Sequence, residues 1–89
     1  MSWIETYREK SRVEKIARNI EFFKQQNARL PNTEDQEEMQ ALGFEMDTIG
    51  WNPDFIPLNN TDYELWLYYG FDGPDMVYNS KTKTWREEY

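Results

Sequence analysis

Val13-Glu14-Lys15-Ile16-Ala17-Arg18-Asn19-Ile20-Glu21-Phe22-Phe23, followed by Asn27-Ala28-Arg29-Leu30-Pro31, decides the first element of this chain. Val13, Ile16, Ala17, Ile20 and Phe23 recur at the spacing of one helical face. Lys10, Arg12, Glu14, Lys15, Arg18, Glu21 and Lys24 fill the other faces. Ser2 with Glu5 reads as a capping box at the start. Pro31 forces its predecessor out of helical geometry, and Asn27 is suited to a left-handed stop. The spacing predicts a helix over residues 3–27. Its apolar stripe serves only the second half, because Ile4 and Tyr7 do not extend the line through Val13 and Ile16. The first turns are therefore expected either to stand in solvent or to meet a partner through Trp3, Ile4 and Tyr7.

After Pro31 the pattern changes. Thr33-Glu34-Asp35-Gln36 reads as a cap followed by acidic first-turn residues, Met39 and Leu42 give a small apolar face, and Gly43 supplies a stop. Phe44, Met46, Ile49 and Trp51 are expected to form an irregular connection. Phe55 to Leu58 fits a short edge strand, since Pro57 has no N–H for a ladder. From Tyr63 to Tyr69 the residues alternate: Tyr63, Leu65, Leu67 and Tyr69 on one face, Glu64, Trp66 and Tyr68 on the other. That pattern is a central strand with bulk on both sides. Gly70 and Gly73 bracket a turn, Met76 to Tyr78 is a further strand, Asn79-Ser80-Lys81-Thr82 is turn chemistry, and Lys83 to Glu87 is the last strand. Elements so close in sequence pair antiparallel. The expected fold class is α+β over residues 1–89 as one domain. A long N-terminal helix packs on a three- to four-stranded antiparallel sheet, with a short second helix in the connection.

Composition narrows the chemistry. The 89 residues contain no cysteine and no histidine. Disulfides, thiolate chemistry and the commonest zinc ligand and general base are absent from the chain. Aromatic residues make up 17% of it, so a few large rings must carry a thin core. The net charge is −7, and no Lys or Arg occurs between Leu30 and Tyr78. That sign is wrong for a nucleic-acid contact face. No window is apolar enough to span a membrane, and there is no secretory h-region.

Several short pieces in order give the chain a family resemblance. The helix ends in Asn27-Ala28-Arg29-Leu30-Pro31 and leads to Met39-Gln40-Ala41-Leu42. Tyr63-Glu64-Leu65 and the turn Gly70-Phe71-Asp72-Gly73 follow. In this it resembles the soluble domain of bacterial type IV pilin-like proteins, in particular the major pseudopilins of type II secretion. The likeness covers roughly residues 8–75. It implies a non-catalytic domain working through protein–protein contacts. Three departures stand out: the family's N-terminal hydrophobic helix is not in this chain, Ala28 occupies the place of a usual glycine, and the family's calcium loop is only partly echoed. On this resemblance a membrane segment is expected upstream of Met1, with the domain extracytoplasmic; a native start at Met1 would make it cytoplasmic.

Three candidate sites come with these readings. Asp72 and Asp75 flank the Gly73-Pro74 turn and offer carboxylates of the kind calcium takes, in line with the family's calcium loop. Trp3, Ile4 and Tyr7 are one candidate partner surface. Glu34, Asp35, Glu37 and Glu38 are another. The latter goes with a different reading, an acidic inhibitor or immunity-type protein covering a basic partner. Trp66, Tyr68 and Tyr69 could stack sugars or bases, but a sheet packed on the helix accounts for them better. No pair of acids is placed in a cleft by the pattern, so no enzymatic function is expected.

Overall fold

The structure is a computed structural model. It describes residues 3–89, with the side chains of residues 3–6 and 72 outside the description. The chain forms α1 (Trp3–Asn27), α2 (Gln36–Leu42), β1 (Glu45–Asp47), β2 (Gly50–Asn52), β3 (Asp54–Pro57), β4 (Tyr63–Leu67), β5 (Asp75–Asn79) and β6 (Thr84–Glu88). A single 3-10 turn, Gly70–Asp72, joins β4 to β5. β3-β4-β5-β6 is an antiparallel meander, and β1-β2 is a separate two-stranded sheet. The α+β architecture therefore has one long helix, one short helix and two antiparallel sheets.

α1 has the bounds that its periodicity predicts. The left-handed residue that follows it is Ala28, at φ 56°, rather than the expected Asn27. The Asn27 side chain instead donates to the Phe23 carbonyl at 3.0 Å, which holds Asn27 within the last turn. The expected cap at Ser2 lies outside the described residues.

α2 ends at Gly43 as expected, but its N-cap is Asp35 rather than Thr33, so the helix starts at Gln36. The Asp35 carboxylate accepts from the Glu38 N–H at 3.1 Å, satisfying a donor that the helix leaves unpaired. Gly43 ends it at φ 112°. A Cβ there would lie 2.9 Å from Ile16 Cγ1, so this glycine also lets the end of α2 close on α1. Asn19 completes the junction by donating to the Leu42 carbonyl at 2.9 Å.

The segment after Gly43 departs from expectation. It is a hairpin, with Met46 opposite Trp51 and Asp47 opposite Gly50. The Asp47 carboxylate accepts from the Ile49 and Gly50 N–H groups and so builds the turn. β4 is shorter than its alternating pattern and stops at Leu67. β6 runs one residue later than expected at each end.

One core joins these pieces. Val13, Ile16, Ala17 and Ile20 of α1 are buried with Tyr63, Leu65 and Leu67 of β4 and Met76 and Tyr78 of β5. Met39, Leu42, Phe44 and Phe55 extend it under α2 and the hairpin. Phe44 meets Phe55 edge-on, and Phe55 stacks on Tyr63 at 5.5 Å between centroids. Arg12 ties the helix to β2 through the Asn52 side chain and carbonyl.

Candidate functional site

A groove of about 510 Å³ lies between the second half of α1 and the β5–β6 turn. Helical spacing sets one wall, since Glu14, Arg18 and Phe22 follow at intervals of four. Tyr63 and Tyr78, from neighbouring strands, line its floor, and Ser80 and Lys83 close the far side. The turn itself is held by Asn79, whose side-chain oxygen accepts from the N–H groups of Lys81 at 2.9 Å and Thr82 at 3.1 Å. Lys83 then takes a left-handed conformation at φ 58°, with its N–H on the Asn79 carbonyl at 2.8 Å.

The acids of the groove are committed to protein partners. Glu21 accepts from the Tyr63 hydroxyl at 2.8 Å and from Lys24 at 3.0 Å. Glu14 accepts from the Trp85 indole N–H at 3.0 Å. Burial, followed by the Glu21 carboxylate that its hydroxyl donates to, holds the Tyr63 phenol well above its ordinary pKa. Tyr78 is raised by burial and then by Glu14 and Glu21, so both phenols stay protonated at neutral pH.

Among the described residues no helix covers the opposite face of the sheet. Glu64 sits there at 8% exposure and gathers Arg86, the Trp66 indole N–H and Asn79 around its carboxylate. The hydrogen bond from Arg86 is the main reason its carboxyl titrates below the usual range. Arg86 also lies over the Trp66 ring, and Val77 beneath is fully buried. Tyr68 donates to Asp54 at 2.6 Å, and burial with that carboxylate pushes its hydroxyl up to about 12. Trp66 is thus half-buried on this face beside Arg86 and Glu64, Tyr68 remains exposed with its hydroxyl on Asp54, and Tyr69 packs against the core.

The candidate partner and metal residues are dispersed. Asp35 is the α2 cap, and Glu38 is clamped by both Arg29 nitrogens at 2.8 and 3.1 Å and by the Asn32 N–H at 2.7 Å. Of the acidic run, Glu34 and Glu37 are the members whose side chains have no hydrogen bond or ion pair among the described residues. Asp75 opens β5, with its carboxylate on the Tyr69 N–H at 3.0 Å. The Asp72 side chain lies outside the described residues. No group of three or more metal-ligating side chains gathers among the described residues. Tyr7 is 65% exposed, and the side chains of Trp3 and Ile4 lie outside the description. No helix among the described residues is long and apolar enough to cross a membrane.

Comparison with family models, curated proteins and solved structures finds no match for this chain. The groove was not legible beforehand. Its two sides are far apart in sequence, and only the Asn79 turn announced itself.

Proposed function

We propose that this chain is a non-catalytic, pilin-like interaction module that works through protein–protein contacts, with the N-terminal turns of α1 as its contact surface. The observation that carries the reading is the division of α1. No side chain from Tyr7 to Arg12 is buried, whereas Val13, Ile16, Ala17 and Ile20 are all in the core. A 25-residue helix rises about 37 Å, comparable with the molecule's longest extent of 37 Å. Lys10 lies over the Trp85 ring and Arg12 holds Asn52, so the turns that precede them are the part left for a contact outside the domain. The order of a long helix, a short capped helix and an antiparallel meander also agrees with what the family resemblance implies.

The test is a photo-crosslinking residue placed at Tyr7 and, separately, at Thr82, in cells that naturally make the protein. The reading expects a discrete protein adduct at position 7, lost when Ile4 is changed to Asp, and none at position 82. Equal labelling at both positions, or none at position 7, contradicts it.

A further inference from the structure

We propose that the groove between α1 and the β5–β6 turn binds a small organic monocarboxylate, its carboxylate held by Arg18, Lys83 and the Tyr78 hydroxyl and its apolar body laid on Phe22. This inference is independent of the pilin-like reading. It starts from an accounting of donors and acceptors. Glu14 and Glu21 already accept hydrogen bonds from Trp85, Tyr63 and Lys24. The cations that line the same groove, Arg18 and Lys83, make no hydrogen bond or ion pair among the described residues. Arg18 and Lys83, both exposed, are therefore the lining charges that hold no protein partner and can turn to a visitor.

Tyr78 strengthens the case. Only 9% of it is exposed, yet its hydroxyl has no hydrogen-bond partner among the described residues. It lines the groove, and its hydroxyl feels the Arg18 guanidinium. Its hydroxyl opens on the groove rather than being sealed in the core, so a ligand oxygen can take the place of a water there. The Ser80 hydroxyl receives the Tyr63 N–H at 2.8 Å and keeps its own proton to give.

Lys83 adds an independent argument. Its φ of 58° belongs to the left-handed region, where glycine or asparagine is the undemanding choice. A lysine there accepts backbone strain in exchange for an ammonium group at the groove, and such outliers gather at ligand-holding positions. Phe22, one helical turn beyond Arg18, is 64% exposed and supplies an apolar surface next to the charge. The volume suits a small molecule. Glu14 and Glu21 in the lining, and the net charge of −7, select one negative charge over two.

The experiment is an amide-resolved NMR titration with hydrocinnamate, its neutral analogue hydrocinnamide and dianionic phenyl phosphate. Hydrocinnamate is expected to give saturable shifts at Arg18, Phe22, Tyr78, Ser80 and Lys83, with a Kd of about 1 mM. Hydrocinnamide and phenyl phosphate are expected to bind at least about tenfold more weakly, as is hydrocinnamate to Arg18→Gln. Tyr78→Phe should weaken binding about threefold to fivefold. Lys83→Gly should weaken it while leaving Tm no lower than the parent's, which separates ligand loss from misfolding. Lys15→Gln, on the same helix but outside the groove lining, should change nothing. No saturable shift up to about 20 mM hydrocinnamate, equal binding of the amide, tighter binding of the phosphate, or indifference to Arg18→Gln would each overturn the proposal.

Discussion

The two faces of β4 keep different company within five residues. Tyr63, Leu65 and Leu67 lie under α1 in apolar contact, and none is more than 2% exposed. Glu64 and Trp66, on the other face, have no helix above them among the described residues. That face is closed instead by a carboxylate, a guanidinium and an indole lying flat across β4, β5 and β6. The contrast shows two ways to bury a strand. One side loses water to shape-matched hydrocarbon. The other does so by satisfying every polar group it covers, as with Val77 beneath Trp66 and Arg86.

Substitutions that treat the two faces alike should give unlike results. Leu65→Ala removes a fully buried side chain from the helix-covered face and should cost about 3 kcal/mol in urea unfolding. Glu64→Ala strips the acceptor from Arg86 and the Trp66 N–H, and should cost about 2 kcal/mol. A loss for Glu64→Ala as large as that for Leu65→Ala would break the distinction between the faces. Tyr63→Phe deletes only the hydroxyl bonded to Glu21 and should cost about 1 kcal/mol, leaving the ring packing in place.

Acid should affect the faces differently too. The folded-state pKa of Glu64 is depressed, so its contribution is present above the unfolded carboxylate pKa and fades as pH falls through the folded value. The stability gap between the parent and Glu64→Gln is therefore expected to narrow on acidification below about pH 4. The corresponding gap for Leu65→Ala should hold steady across the same range. A gap for Glu64→Gln that widens in acid would reverse the sign assigned to the Arg86 partnership. The smallest effect belongs outside both faces: Tyr7→Ala should change stability by no more than about 0.5 kcal/mol.

What could be read from the sequence was what is local. α1 declared itself through Val13, Ile16, Ala17 and Ile20, and α2 through Met39, Leu42 and the Gly43 stop, because spacing and caps act over a few residues. The alternation of β4 placed Tyr63 and Leu65 opposite Glu64 and Trp66. The β1–β2 hairpin was missed because its strands have three residues each and no buried alternation; Met46 is 49% exposed. The turn that makes the hairpin depends on one Asp47 carboxylate rather than on a glycine pair. Tertiary partners were out of reach. That Glu38 answers Arg29 and Glu64 answers Arg86 cannot be read from a run of acids, and these pairings decide which charges remain free. The same applies to the groove, where the left-handed backbone of Lys83 and the unpaired hydroxyl of Tyr78 exist only once the chain has folded.

Both the packing of the sheet and the proposed contact surface stand on α1 being anchored from Val13 onward. Native-state hydrogen exchange along the helix measures this directly. Amides from Ile16 to Phe23 should exchange only with global unfolding, and those from Tyr7 to Ser11 should exchange markedly faster through local opening. Uniform protection from end to end, or a protected first half with a labile second, would contradict that anchoring.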